Sequence, residues 1–232
     1  MLILQVFAPA MGQKSPSPFT MKAIALMQMS GLDYQLKPGD PRKGPKQKLP
    51  VLIDGSKSIP DSTHILAHLK SMHGFDPDKN LTPEQLAIAE AFRRMIEEHL
   101  YWVLVHSRWV ENGDKIRDSF FASVPAFMRK FIFNMIVKKV KANLYGQGMG
   151  RHTPKEIYAF GATDLQAIAD YLGDKPFFFG DAPTSVDATI FGMLDSIIVP
   201  PLETELKRSA LAHNTLKSYH QRMSDHIDLA EL

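Results

Sequence analysis

The spacing of apolar residues changes character about a third of the way along this chain. In the first seventy residues they come in short, β-prone runs. Leu2-Ile3-Leu4-Gln5-Val6-Phe7 reads as a buried strand. Pro9 and Gly12 keep the next stretch irregular. After Ser15-Pro16-Ser17-Pro18-Phe19, apolar residues recur at helical spacing through Ala23, Ile24, Leu26 and Met27, until Gly31 ends the helix. Leu32-Asp33-Tyr34-Gln35-Leu36 alternates as a second strand. Residues 37–48 form a loop rich in Lys, Arg, Pro and Gly. Leu49-Pro50-Val51-Leu52-Ile53 is a third strand, Asp54-Gly55 a hairpin turn and Lys57-Ser58-Ile59 the returning strand. A helix then starts at Asp61-Ser62, with Ile65, Leu66 and Leu69 as its buried stripe. The order βαβ then ββα predicts a small α/β unit with a mixed sheet.

Beyond a polar linker at residues 73–80 the strand pattern disappears. Thr82-Pro83-Glu84 starts a helix predicted to reach about residue 112, with an inner stripe of Leu86, Ala89, Phe92, Arg93, Ile96, Leu100, Val103 and Leu104. Its second half mixes aromatic and polar residues: Tyr101, Trp102, His106, Arg108 and Trp109. A second long helix is expected over 115–145, broken or kinked near Pro125. Residues 127–139 within it are both apolar and basic, and read as a core helix with a Lys/Arg outer face rather than as a membrane-surface helix, so no membrane contact is expected. Gly146 to Gly150 reads as a flexible joint. Thr153-Pro154-Lys155-Glu156 starts a helix that ends at Leu172-Gly173, and Thr184-Ser185-Val186-Asp187 forms a capping box before a buried helix. A last helix is expected over 215–226. The division predicted is an α/β domain over 1–74 and an all-helical domain over 81–232.

Composition narrows the chemistry. At 232 residues, 44% hydrophobic and 22% charged, the chain is that of an ordinary globular protein. A formal net charge of +2 is too small to point to nucleic acid. The absence of cysteine excludes disulfides, thiolate metal ligands and a cysteine nucleophile, so any thiol chemistry needs a thiol brought by a ligand. The N-terminal apolar run is too short for a signal sequence, and no stretch approaches a membrane span, so a cytoplasmic protein is expected. The histidine pairs His99/His106 and His213/His220 lack the spacing and acidic neighbours of a zinc site, and no metal is predicted.

Two local features carry the candidate chemistry. A strand feeding a helix through a Ser/Pro turn presents backbone N–H groups to an anion, with Ser15 or Ser17 acting either as an N-cap or as a hydroxyl donor. Pro50 at the head of a strand suggests a cis Leu49–Pro50 bond that would turn the Leu49 backbone toward an extended ligand.

Taken in order, the Ser-Pro-Phe helix start, the Leu-Pro before a hairpin and an Asp-Ser helix start, and the later Gly-Asp-x-Pro-Thr-Ser-x-Asp-Ala box resemble the glutathione transferase superfamily. Residues 102–109, 148–158 and 200–202 look like its failed-axon-connections and metaxin-like branch. The resemblance implies a thioredoxin-like N-terminal domain, an all-α C-terminal domain and bound glutathione as co-substrate. On that pattern Leu49 pairs by its backbone with the cysteinyl part beside cis-Pro50. Asp61 and Ser62 hold the γ-glutamyl end, and Lys48 meets the glycyl carboxylate. Ser17, with Ser15 as close competitor, would stabilise the thiolate. Tyr101, Trp102, His106 and Trp109 either line the cleft for a small hydrophobic electrophile or pack the domains together. The family pattern further implies a homodimer. The alternative is a non-catalytic adaptor or binding protein of the same fold, associated with a membrane through residues 127–139.

Overall fold

The computed structural model describes residues 1–121 and 124–227. Its N-terminal part is one four-stranded mixed sheet. Strand β1 (Leu2–Val6) runs parallel to β2 (Tyr34–Pro38) and antiparallel to β3 (Val51–Asp54), which turns at Asp54-Gly55 into β4 (Lys57–Pro60), giving the order β2-β1-β3-β4. Gly55 sits in the left-handed region the tight turn needs, at φ 59°. Helices α1 (Pro18–Ser30) and α2 (Ser62–His73) complete this part.

Nine of the 13 residues of α1 are buried. The helix is apolar nearly all round because it is walled on both sides. It lies against β1 and α2, and along the other side against α8 (Ser185–Ile198) of the helical part. Gly192 permits that approach: a Cβ there would sit 2.4 Å from the Pro18 carbonyl oxygen. The Thr184–Asp187 box forms as expected, with the Asp187 carboxylate taking the Thr184 N–H at 2.8 Å. Asp187 also accepts from the Phe178 N–H at 2.8 Å and the buried Tyr219 hydroxyl at 2.7 Å, fixing three segments to one carboxylate.

The remaining helices correct the sequence reading in several places. The expected helix from Thr82 is α3 (Pro83–Arg94), a π-helical turn (Met95–Leu100), α4 (Tyr101–Val105) and a second π-helical turn (His106–Glu111). Leu86, expected on the inner stripe, is exposed. The break at Pro125 separates α5 (Gly113–Phe120) from α6 (Ala126–Gln147). On α6 the apolar residues are divided between two sides: Phe127 is 84% exposed, and Met128, Phe131 and Met135 are exposed with it, while Phe133 and Leu144 face inward. The joint after α6 is compact, because Gly150 backs onto the Leu144–Tyr145 backbone at 2.8 Å from an added Cβ. Helix α7 (Pro154–Leu172) has the expected Thr153/Glu156 box, α9 (Glu205–Ala212) has no counterpart in the sequence reading, and α10 (Asn214–His226) closes the described chain. Among the described residues no helix is long and apolar enough to cross a membrane.

Candidate functional site

Two cavities open between the sheet domain and the α3–α4 helix, and they share a wall made of Phe7, Ser17, Pro41 and Tyr101. The first, about 680 Å³, is mainly apolar, with Pro9, Leu104, Val105, Trp109, Phe120 and Ile136 around it. The second, about 620 Å³, is the more polar of the two: Lys46, Lys48, Leu49, Pro50, Asp61, Ser62, Arg93 and Glu97 face it.

Ser17 stands at the start of α1 in extended backbone, and its side chain makes no capping hydrogen bond. The capping alternative for Ser17 is thereby removed, and its hydroxyl is left on the wall common to both cavities. Ser15 is not brought to either cavity. Its side chain is fully buried, 2.7 Å from the Thr20 hydroxyl, which also reaches the Ser17 carbonyl at 2.8 Å. Thr20 therefore ties down the turn and consumes the Ser15 hydroxyl inside it.

In the polar cavity the Leu49–Pro50 peptide bond is cis. Asp61 has φ 80°, uncommon for a residue with a Cβ, and caps α2 by accepting the Thr63 N–H at 2.9 Å. A non-glycine residue held there costs of order 1–3 kcal/mol, and such outliers cluster at ligand clamps. Ser62 is the buried first residue of α2, so its hydroxyl and the positive end of the helix meet the cavity together. Lys48 is exposed at the rim.

Of the four aromatic candidates, three line the cavities: Tyr101 both, Trp109 the apolar one and Trp102 the polar one. Tyr101 packs edge-on against Phe19 at 5.0 Å, and burial raises its phenol pKa, so it remains a donor. His106 does not belong with them. It is buried on the other side of its helix, edge-on to Tyr158, with Nδ1 unpartnered. Its partner in the spacing test, His99, binds Asp164 at 2.7 Å instead.

Two buried cations, Lys22 and Arg108, have roles that the sequence does not show, and Arg108 lines the apolar cavity. Lys22, on the otherwise uncharged α1, bonds Glu97 at 2.7 Å, and Glu97 also takes Arg93 at 2.6 Å. Arg108 donates to the carbonyls of Pro16, at 2.9 Å, and Ser196, and to Gln13 at 3.1 Å. Burial lowers its pKa to about 10, so it stays charged at neutral pH. From inside the helical domain Arg108 thus pins the residue immediately before Ser17, and Pro18 then opens α1. The position of Ser17 is set from both flanks.

Comparison with known proteins bears on the family and the fold. Residues 18–115 match the family described as glutathione S-transferase N-terminal domain, and residues 161–223 the glutathione S-transferase C-terminal domain. The chain is 29% identical to the isoprene-epoxide–glutathione S-transferase of Rhodococcus sp. (strain AD45), covering 99% of this chain and all of that one. It is 30% identical to Failed axon connections of Drosophila melanogaster over 79% of this chain, but spans only 47% of that longer protein. In fold it matches a glutathione S-transferase of Ceriporiopsis subvermispora solved in complex with glutathione, with a TM-score of 0.68 at 18% identity, covering 100% of this chain and 98% of that one.

Proposed function

Because the chain belongs to the glutathione transferase superfamily, in its failed-axon-connections and metaxin-like branch, we propose that it joins the thiol of glutathione to a small apolar electrophile. The observation that carries this reading is Ser17, uncapped on the wall shared by a polar and an apolar cavity. Glutathione would lie in the polar cavity, with its γ-glutamyl end at Asp61, Ser62 and the α2 N-terminus, its backbone beside Leu49, and its glycyl carboxylate toward Lys48. A free thiol has a pKa of about 8.5 and is mostly protonated at neutral pH. The Ser17 hydroxyl and the first N–H groups of α1 would stabilise the thiolate and lower that value. The electrophile would occupy the apolar cavity against Trp109 and Tyr101. The Rhodococcus relative makes small epoxides the first class to test.

The test is the ionisation of bound glutathione, followed by thiolate absorbance, together with conjugation of a panel of epoxides and aryl halides. Ser17→Ala is expected to raise the pKa of the bound thiol and to lower kcat/KM by about 10–100-fold, the worth of one hydrogen bond to a charged group, while Ser15→Ala leaves the thiol pKa unchanged. Failure to bind glutathione at millimolar concentration would overturn the reading. We further propose that the protein acts as a cytoplasmic homodimer, which light scattering and fractionation test.

One observation favours a second reading, a non-catalytic protein that docks on an anionic lipid surface. The exposed stripe Phe127, Phe131 and Met135 is flanked by Lys130, Lys138 and Lys139, and α6 carries no acidic residue. Sedimentation with anionic but not zwitterionic vesicles, lost in Phe127→Ser/Phe131→Ser, together with glutathione binding but no conjugation, would support it.

A further inference from the structure

At the far end of the sheet domain, three side chains with metal-binding atoms converge where the hairpin meets the end of α2. Asp54 closes β3. His68 lies in α2 and His73 is its last residue, so the two rings come from successive turns and point back at the hairpin. Both imidazoles direct Nε2 at the same carboxylate oxygen: Asp54 Oδ2 is 2.8 Å from His68 and 2.9 Å from His73. One ligand atom from each residue lies within 4.8 Å of the other two. The rings meet edge-on, 5.7 Å apart, and all three residues are half-buried, with a side open to solvent.

Hydrogen bonding alone needs only one ring to orient this carboxylate. Two imidazoles and one carboxylate, each with a ligand atom within 4.8 Å of the others, lie within reach of a single ion. A tetrahedral ion bonded at about 2.0–2.1 Å keeps its ligand atoms roughly 3.3 Å apart, so the Asp54 oxygen would have to draw back from each imidazole nitrogen by about half an ångström. The hairpin turn and the last turn of α2 are the segments that would move. Two imidazoles and one carboxylate suit zinc and its neighbours rather than magnesium or calcium, which take oxygen ligands.

We propose that Asp54, His68 and His73 bind a divalent transition-metal ion of the zinc type, with water completing the shell, and that the ion clasps the β3–β4 hairpin to α2. Both elements reach the polar cavity at their other ends, through Leu49-Pro50 before β3 and through Asp61-Ser62 at the start of α2. The clasp therefore holds that wall from behind. It stands independently of the transferase reading.

The experiment uses the full chain, stripped with chelator and titrated with Co²⁺, read by the visible bands of a tetrahedral site, and with Zn²⁺ by calorimetry. One ion per chain and a zinc-dependent rise in the thermal midpoint are expected. His68→Gln and His73→Gln should each weaken binding by more than about tenfold, and the double variant should abolish the cobalt bands and the thermal shift. His99→Gln, which removes a different histidine–carboxylate pair, should leave both unchanged. Circular dichroism of the metal-free variants establishes that they are folded. The proposal is overturned if wild type shows no cobalt bands and no zinc-induced shift, or if stoichiometric binding survives in the folded double variant.

Discussion

Removing the negative partner of Lys22 should cost far more than removing Lys22 itself. The pair is deeply enclosed: Lys22 is 2% exposed and Glu97 9%, with 2.7 Å between Nζ and Oε1. Burial already lowers the Lys22 pKa, and Glu97 is the largest opposing influence. Glu97→Gln leaves a buried lysine without its bonded counter-charge and with only the weaker field of Asp61, a change that costs about 3–5 kcal/mol. For a chain of this size each kcal/mol moves the midpoint by about 2–4 °C, so the drop is roughly 6–20 °C. Lys22→Met takes away the buried ammonium, while Glu97 keeps Arg93 at 2.6 Å. Its cost should stay within about 1 kcal/mol, because an apolar group of similar volume replaces an expensive buried ion. The double variant Lys22→Met/Glu97→Gln should melt above Glu97→Gln alone. Thermal scans by circular dichroism at neutral pH measure all three. Equal losses in the two single variants, or a double variant no more stable than Glu97→Gln, would refute the reasoning.

Three further outcomes follow from the same geometry. Gly192→Ala places a methyl group 2.4 Å from the Pro18 carbonyl, and should destabilise by about 1–3 kcal/mol in chemical unfolding while also lowering affinity for glutathione, since α1 follows directly on Ser17. Tyr219→Phe removes the hydroxyl that reaches Asp187 at 2.7 Å and should cost about 1.5–3 kcal/mol, measured by thermal or urea unfolding. Arg93 and Arg94 hold the Glu90 pKa down from 4.5 to about 2. A carboxylate pKa depressed in the folded state adds stability above its unfolded pKa, and that stability is lost as pH falls from about 4.5 toward 2. Because Glu90 is half exposed, Glu90→Gln should remove less than about 1 kcal/mol at pH 7, and acid-titration melts should show a flatter profile over that window.

The features legible in the sequence are those with a local chemical cause. The Asp54-Gly55 turn, the Thr153-Pro154 helix start and the Thr184–Asp187 box each rest on residues within a few positions of one another, and all three form. Pro50 is conspicuous because proline at the head of a strand needs a reason. What stays hidden depends on distant partners. Ser15 and Ser17 are chemically identical and two residues apart, and only Thr20 and the packed turn separate a buried hydroxyl from one on the cavity wall. Lys22 gives no local sign of its role, because its partner lies 75 residues away. The π-helical turns change hydrogen-bond register without changing residue type, so the apolar spacing carries no sign of them, and regular helical spacing groups His106 with residues on the wrong face. A histidine search along single helices also misses Asp54, which joins His68 and His73 from a hairpin.

The all-round burial of α1 bears on how the chain comes apart. A helix with an exposed face belongs to one domain and can leave with it, but α1 supplies core to the sheet on one side and to α8 on the other. Pulling the two halves apart would bring water onto the apolar surface of Ile24, Leu26 and Met27 and of the α8 residues packed along the same helix. Neither half retains a closed core once α1 has been withdrawn. The boundary visible in the sequence is thus a boundary of architecture and not of cooperativity, and heat or urea should dissolve both halves in a single transition.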